Sequence, residues 1–324
     1  MINRSRDSGQ WIGIQGEETI PFDLKDVEWS CLTKSEDKIN IFSLDPEFRL
    51  VYNLFKDEIF NLSTNYSLVL FKPECFTNKN AFANCINILN SKFVIVDYKF
   101  FIFNNNISSL LWRYQLNRAT LDRLRLLFVF QNNLPGLVLI VKKRENNNIP
   151  CSIMLSNLKG SGFRKNYDSS KLRSQFTPEN PMINFVHASD EPADFIRELG
   201  VLFSYTELNS FILDKEVKID NIMEEVYSLH SDIDFDLSDY KITLNKLISI
   251  LDLTEKDHQN FLNYINDLSD FKEYADFDKF FNLLNKCQIS YNFHEVLYIF
   301  SRHMIRTHDH MKEMVGKVDN SKWV

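Results

Sequence analysis

Glycine is scarce in this chain, with 8 residues among 324. Neither Gly-x-x-x-x-Gly-Lys nor Gly-x-Gly-x-x-Gly occurs anywhere in the sequence. Both motifs let backbone N–H groups approach phosphates closely, so their absence argues against a P-loop kinase and against a dinucleotide-binding domain. Phenylalanine is frequent instead, with 28 residues, and such large side chains can fill a substantial core.

Long apolar runs and paired cysteines are also missing. No stretch approaches the roughly 20 uninterrupted apolar residues of a membrane span. Residues 1–9 are too polar for a signal peptide. The 5 cysteines lie far apart and form no Cys-x-x-Cys pair, which favours reduced thiols. We therefore expect a cytoplasmic protein with no membrane partner.

The chain also lacks an excess of positive charge. Its formal net charge is −7, which argues against non-specific nucleic-acid binding, although a local basic groove stays open. Hydrophobic residues make up 44% of the sequence and charged residues 25%, as in a folded, soluble protein. The length allows about two domains as a prior.

Hydrophobic periodicity divides the chain into three regions, of which the first is residues 1–63. This region is predicted to be a mixed α/β extension. Residues 11–14 and 39–42 have the character of short strands. Residues 45–62 place apolar side chains at helical spacing after an Asp-Pro start, which predicts one amphipathic helix.

The second region, residues 64–206, alternates between strand and helix patterns. The order β-α-β-αα-β…β-α predicts a ferredoxin-like α+β sandwich, an antiparallel sheet with helices on one face. The expected elements are strands at 66–71, 92–103, 136–141 and around His187, and helices that follow Thr77 and cover 108–116, 120–130 and 192–203.

The third region, residues 207–324, contains no convincing strand. Its apolar residues recur at three- and four-residue spacing. This periodicity predicts an all-α domain of about five helices.

Residues 184–190, Asn-Phe-Val-His-Ala-Ser-Asp, carry the most informative pattern. They end an apolar run, and a predicted helix follows at once with Glu198 on it. A histidine at such a strand–helix junction can be held as a nucleophile, and imidazole is a good phosphoryl acceptor. The pattern resembles the active-site segment of the nucleoside diphosphate kinases, which carry Asn-x-x-His-x-Ser-Asp and a downstream Glu.

The resemblance extends over residues 66–203 and implies roles for several side chains. Lys72, in Phe-Lys-Pro-Glu, corresponds to a lysine that projects toward the transferred phosphate. Arg173 corresponds to a phosphate-binding arginine, and Asn184 to an asparagine that contacts the nucleotide sugar. In the family the glutamate, here Glu198, hydrogen-bonds the imidazole Nδ1 and leaves the other nitrogen free to attack.

Further residues follow from the same resemblance. Ser189 matches the family's serine beside the histidine. Tyr114 lies near the family's tyrosine that supports the imidazole. Leu124 falls near the base-stacking phenylalanine, and a leucine stacks less well on a base. The family's Mg²⁺ is held mainly through the phosphates, so no protein metal site is expected.

The sequence departs from the family's pattern in one stretch. Ser152 and Leu158 stand where the family has a phosphate-contacting arginine and threonine. The following loop carries Lys159, Arg164 and Lys165, which could replace the lost contacts or form a solvated basic turn.

The resemblance thus implies a nucleoside diphosphate kinase-like phosphotransferase. A nucleoside triphosphate such as ATP, with Mg²⁺, would phosphorylate His187. The phosphoryl group would then pass to a nucleoside diphosphate or to a specialised small-molecule acceptor. The alternative is a catalytically inactive nucleotide-binding or protein-interaction module that kept the fold. Family members are usually hexamers, so a homo-oligomer is possible, and a dimer or a monomer is as plausible.

Overall fold

The computed structural model describes residues 27–162, 167–211, 216–230, 233, 235–237 and 239–323. The strand expected at 11–14 and the candidate phosphate-binding Arg164 and its neighbour Lys165 lie outside the described residues. No helix among the described residues is both long enough and apolar enough to cross a membrane.

The segment before the sheet is helical. It contains α1 (Glu36–Phe42), α2 (Pro46–Leu54) and α3 (Ile59–Asn65). The prediction of a strand at 39–42 was wrong because Ser35 caps a helix there, accepting a hydrogen bond from the Lys38 N–H.

The single helix predicted at 45–62 is divided in two. Its predicted start is confirmed, since the Asp45 side chain accepts from the Phe48 N–H. Phe55 leaves the helical conformation, with φ −110° and ψ 20°, and a 3₁₀ turn leads into α3.

Four strands form one antiparallel sheet: β1 (Tyr66–Phe71), β2 (Phe93–Ile102), β3 (Pro135–Lys143) and β4 (Val186–Ala188). Their order is β2-β3-β1-β4, and each neighbouring pair is antiparallel. Every residue of β1 is buried. The C-terminal end of β1, which leads into Lys72, therefore lies next to the short edge strand β4 that carries His187.

The helices between the strands complete a ferredoxin-like α+β fold. Helix α4 (Lys79–Lys92) joins β1 to β2, α5 (Asn105–Leu111) and α6 (Leu121–Gln131) form a hairpin before β3, and α7 (Cys151–Lys159) follows β3. Helices α8 (Pro192–Leu202) and α9 (Tyr205–Asn209) follow β4. The cap of α4 is Asn78, one residue after the predicted Thr77.

Helices cover both faces of the sheet, not one as the sequence suggested. Val69 and Phe71 belong to a core shared with α4 and the helices after residue 216. Leu68 and Leu70 belong to a second core shared with α8 and the segment before β1. The added helices thus bury the face that a two-layer sandwich would leave open.

The region after residue 216 is helical, as predicted, with five helices among its described residues: α10 (Ile219–His230), α11 (Tyr240–Ser249), α12 (Lys256–Ser269), α13 (Phe277–Lys286) and α14 (Phe293–His303). Phe130 of α6 packs its ring against Phe235 and His294, 6.1 and 5.5 Å between centroids. The core of these helices is therefore continuous with one face of the sheet.

Gly200→Ala is expected to destabilise the protein, although alanine favours a helix by about 1 kcal/mol over glycine. A Cβ at this position in α8 would overlap the carbonyl oxygen of Glu47 and stand 2.9 Å from its carbonyl carbon. Helix α2 would have to move, at a cost of about 1–3 kcal/mol. Urea unfolding measures the balance. Gly316→Ala is the matched control because nothing lies within 4 Å of its Cβ, and equal stability of both variants would contradict the close helix contact.

Candidate active site

A single carboxylate holds both His187 and Ser189. The imidazole Nε2 lies 2.8 Å from Glu198 Oε1, and the Ser189 hydroxyl donates to Glu198 Oε2 at 2.6 Å. Strand β4 supplies the first side chain and the second turn of α8 supplies the carboxylate. The expectation that Glu198 bonds Nδ1 was wrong, because α8 approaches the ring from its Nε2 side.

The charge of Glu198 fixes which imidazole nitrogen is available. Burial acts to raise the pKa of Glu198, but the adjoining His187 and Ser189 outweigh it and hold that pKa below its ordinary value. An ionised carboxylate only accepts hydrogen bonds, so Nε2 carries a proton. No described residue hydrogen-bonds Nδ1. In a neutral ring, Nδ1 therefore keeps the lone pair.

The start of α8 is fixed by a buried ionic network. Glu191 accepts hydrogen bonds from the Thr33 hydroxyl and the Lys38 ammonium, each at 2.8 Å. Lys38 also contacts Asp194 at 2.6 Å, and the Glu191 N–H donates to the same Asp194 side chain. The network ties the helix that presents Glu198 to the segment before the sheet.

Lys72 lies where β1 ends and is almost completely buried, at 4% exposure. Its ammonium is 3.5 Å from Glu74 Oε1, a long contact for an ion pair. Burial is the largest influence and holds the pKa of Lys72 below its ordinary value, with Arg173 adding to the effect and Glu74 opposing it. The lysine therefore carries a charge that the surrounding protein only partly neutralises.

Phe185 links this lysine to the histidine strand through a strained backbone. Its φ is 64°, a left-handed conformation that costs a non-glycine residue about 1–3 kcal/mol. Its N–H donates to Glu74 Oε1 at 3.1 Å, and its carbonyl accepts from the Lys72 N–H at 2.9 Å. Its ring stacks on Phe176. These contacts hold the strained turn two residues before His187.

Arg173 sits in a 3₁₀ turn beside the same strand. Its Nε donates to the Val186 carbonyl at 2.7 Å and its Nη1 to the Gly160 carbonyl at 3.3 Å. Burial lowers the pKa of Arg173 to about 10, against the opposing pull of Asp190 and Glu74. Neutral carbonyls orient the guanidinium without cancelling its charge.

Lys159 has a carboxylate partner of its own. Its ammonium donates to Asp190 Oδ1 at 2.8 Å and to the Ala188 carbonyl at 2.9 Å, and the Ser156 hydroxyl donates to Asp190 as well. Burial would raise the pKa of Asp190, but Lys159 outweighs it and holds that pKa low. Lys159 thus braces the loop after His187.

Ser152 and Leu158, the two departures from the family's pattern, lie on α7 and are buried, at 0% and 6% exposure. The Ser152 hydroxyl has no hydrogen-bond partner among the described residues. Leu158 belongs to the core below the sheet. Both positions therefore contribute to packing.

The structure does not use Tyr114 as the sequence suggested. Its hydroxyl donates to Asp45 Oδ2 at 2.6 Å, and its ring lies under the guanidinium of Arg197. The aromatic side chain at the imidazole is Trp112, whose ring is perpendicular to that of His187 at 6.3 Å between centroids. The Lys72 ammonium lies 5.7 Å from the same indole. Trp112 lies two residues before Tyr114 in the chain.

The remaining predicted residues are not gathered at the imidazole. The Asn184 amide donates to the Pro181 carbonyl, and its Oδ1 is buried with no partner among the described residues. Leu124 is half-buried on α6. Sequence reasoning gave no role to Asp190, although its place beside Ser189 in the motif was visible.

No protein-family model matches the chain, and no curated protein does either. The solved structures to which the chain is similar include two nucleoside diphosphate kinases. One, from Borrelia burgdorferi with bound vanadate and ADP, is 18% identical, covers 48% of this chain and 94% of that chain, and gives a TM-score of 0.37. The other, from Aquifex aeolicus, is 20% identical in sequence. The match covers 44% of this chain and 97% of that chain, with a TM-score of 0.36.

Glu198→Gln is expected to lower the free energy of unfolding at pH 7 by about 1–3 kcal/mol, because the buried charge-assisted contacts to His187 and Ser189 weaken. The folded-state pKa of Glu198 is depressed, so its contribution is fully present above the unfolded value of about 4.3. It is lost as the pH falls through the folded value. Urea unfolding from pH 7 to pH 3 should therefore show the gap to wild type closing in acid. A gap that widens in acid would contradict the ionised clamp.

Proposed function

We propose that this protein is a nucleoside diphosphate kinase-like phosphotransferase with His187 as the phosphoryl carrier. The observation that supports the proposal is the clamp by Glu198, which engages Nε2 and leaves Nδ1 without a hydrogen bond among the described residues. The nucleophilic nitrogen in the proposal is therefore Nδ1.

In the first step, the Nδ1 lone pair attacks the γ-phosphorus of a nucleoside triphosphate. The bond from that phosphorus to the β,γ-bridging oxygen breaks, and the nucleoside diphosphate leaves with the electron pair. The proton on Nε2 stays in its hydrogen bond to Glu198, whose negative charge stabilises the imidazolium character that develops. In the second step, a phosphate oxygen of the acceptor attacks the phosphorus and the P–N bond breaks.

Lys72 and Arg173 are the cations assigned to the phosphoryl oxygens. Lys72 is buried and has only the 3.5 Å contact to Glu74, and half-buried Arg173 hydrogen-bonds backbone carbonyls, so in the proposal their charge is available to an incoming anion. Groups held rigidly where charge develops are the largest electrostatic source of phosphoryl-transfer catalysis. The Trp112 ring neighbours both groups, 5.7 Å from the Lys72 ammonium and 6.3 Å from the centre of the His187 ring.

Mg²⁺ enters the proposal with the nucleotide. No three His, Cys, Asp or Glu side chains converge anywhere in the described part of the chain. The phosphate oxygens of the substrate would therefore hold the ion, with few protein ligands, as hard divalent cations at triphosphates commonly are.

A nucleoside diphosphate is the proposed acceptor, because the second step reverses the chemistry of the first. A specialised small-molecule acceptor is the second version of the proposal. The burial of Leu158 and Ser152 favours it, since two contacts that the family gives to the nucleotide's phosphates are replaced here by packing.

A non-catalytic interaction module is the competing function. One observation favours it: Ser189 and Glu198 are buried, and the side chain of His187 is 16% exposed. A groove of about 660 Å³ instead opens at Asp97 and Tyr98 of β2, at the opposite edge of the sheet from β4.

Incubation with ATP and Mg²⁺ is expected to add one phosphoryl group to the wild-type chain, detected by intact-protein mass. The adduct should be acid-labile and stable in alkali, because a P–N bond is cleaved when the imidazole is protonated. His187→Ala should show no adduct. Ser189→Ala should keep it, since this hydroxyl reaches Glu198 and not the phosphorus.

Loss of the adduct in Ser189→Ala with retention in His187→Ala would overturn the histidine mechanism. Thermal stabilisation by ATP in a wild-type chain that never gains mass would establish the non-catalytic alternative. Addition of a nucleoside diphosphate to the isolated phosphoenzyme should discharge it and identify the acceptor class.

Lys72→Met should slow formation of the phosphoenzyme by about 10²–10³-fold, because a fixed cation at the transferred group is lost while the apolar stem is replaced. Single-turnover kinetics measure the effect. Lys171→Met is the matched control, because Lys171 only approaches Asp168 at 3.9 Å on the surface. Equal rates in the two variants would remove Lys72 from the mechanism.

A further inference from the structure

Residues 304–323, which we call the strap, run from the end of α14 across the turn between α5 and α6. The His308 N–H donates to the Arg118 carbonyl at 2.9 Å, and the Thr120 N–H donates to the Arg306 carbonyl at 3.3 Å. An antiparallel bridge between Ala119 and Thr307 lies between them. Backbone hydrogen bonds therefore hold the strap against the helical hairpin that carries Trp112.

The far part of the strap reaches the loop after His187. Val315 is buried in the core on the α8 side of the sheet. The Lys317 ammonium lies 3.8 Å from Asp190 Oδ1, and the Trp323 indole N–H donates to Glu191 Oε1 at 2.8 Å. The strap thus connects the hairpin to the loop that precedes α8.

Three guanidinium groups gather where the hairpin and the strap meet. Arg118 and Arg123 come from the hairpin, and Arg306 comes from the strap. Glu313 acts on two of them: its Oε1 lies 3.4 Å from Arg118 Nη1, and its charge favours the charged form of Arg123. Burial is the largest influence and lowers the pKa of Arg123 below its ordinary value. Glu313 raises that pKa, and the neighbouring Arg306 and Arg118 lower it further.

The donors of this cluster are not all used. The guanidinium of Arg123 makes no hydrogen bond or ion pair with any described residue, and Arg118 Nε is buried without a partner among them. A buried donor left unpaired is costly, and such a group in a native structure commonly marks a missing ion or ligand. Two other guanidinium groups and one carboxylate act on the charge of Arg123.

We propose that Arg118, Arg123 and Arg306 form a binding site for a phosphate-bearing anion at the junction of hairpin and strap, and that Glu313 occupies it as an internal competitor. Guanidinium forks match phosphate oxygens in pairs and stay charged at all physiological pH values. A diphosphate group has enough acceptor oxygens to engage the unused donors of Arg118 and Arg123 together. The site does not depend on the chemistry proposed for His187.

Removing the charge of Glu313 is expected to strengthen anion binding at the arginine cluster. Its contact with Arg118 is long, and the side chain is 41% exposed, so an anion of higher charge can displace it. Glu313→Gln should therefore strengthen anion binding, roughly 10-fold. A merely structural salt bridge would instead leave binding unchanged when it is removed.

The test is a calorimetric titration of the full chain with sodium pyrophosphate at constant ionic strength, in the Lys72→Met background so that the His187 site contributes less. Arg123→Gln should weaken binding roughly 10-fold or more. It should leave the stability of the unliganded protein nearly unchanged, because the Arg123 guanidinium makes no hydrogen bond or close ion pair with a described residue. Arg125→Gln, on the same helix but paired with Asp278 at 2.9 Å, is the matched control and should bind as the parent does.

Amide hydrogen exchange supplies a second readout. An anion held by Arg306 of the strap and Arg118 of the hairpin should slow exchange at the Thr120 and His308 N–H groups, which join the same two segments. A parallel titration with ADP separates the two sources of a diphosphate. An equal response indicates a site for any such anion, and a response to ADP alone indicates a nucleotide.

Pyrophosphate and ADP binding that Arg123→Gln and Glu313→Gln both leave unchanged would overturn the proposal. So would binding that Lys72→Met abolishes, because the anion would then bind at the His187 site alone. The phosphoenzyme measurement reports separately on His187, so failure of one proposal leaves the other standing.

Discussion

Helix α8 is the element on which the rest of the structure depends, because its buried charges each need a partner from a different segment. Asp194 takes Lys38 from α1, Arg197 takes Asp45 from the start of α2, and Glu198 takes His187 from β4. Removing one member of such a buried pair costs several kcal/mol, since the remaining charge is stranded. The segment before the sheet is therefore required to hold the carboxylate that orients the imidazole.

The sequence predicted the elements whose signals are local. The short apolar run of β1 predicts a buried strand. The three- and four-residue spacing of apolar residues after residue 216 predicts helices. The strand predicted at 39–42 was wrong because four residues are too few to distinguish the two-residue period of a strand from the 3.6-residue period of a helix. Ser35, which caps the helix found there, was the better signal. Tyr114 could not be assigned from sequence, since its direction is set by Asp45, about 70 positions away in the chain.

The candidate site was predictable as a set of residue types and not as a geometry. The spacing of His187, Ser189 and Glu198 predicts that the three side chains can contact one another where the strand leads into the helix. Which imidazole nitrogen meets the carboxylate depends on the side from which α8 packs, and that is decided by the tertiary pairs of Asp194 and Arg197. Local spacing contains no information on those partners.

The cations around His187 explain how a closed site can still be suited to an anion. Lys159 is neutralised by Asp190. Lys72 is buried with a long contact to Glu74, and Arg173 is half-buried with backbone carbonyls as its hydrogen-bond partners. Burial lowers the pKa of both, which means that the folded protein gives up stability to keep them charged. A bound phosphate would return that free energy, because it supplies the missing negative charge. In the proposed function, the same desolvation that weakens the unliganded fold would therefore strengthen binding of the substrate's phosphate.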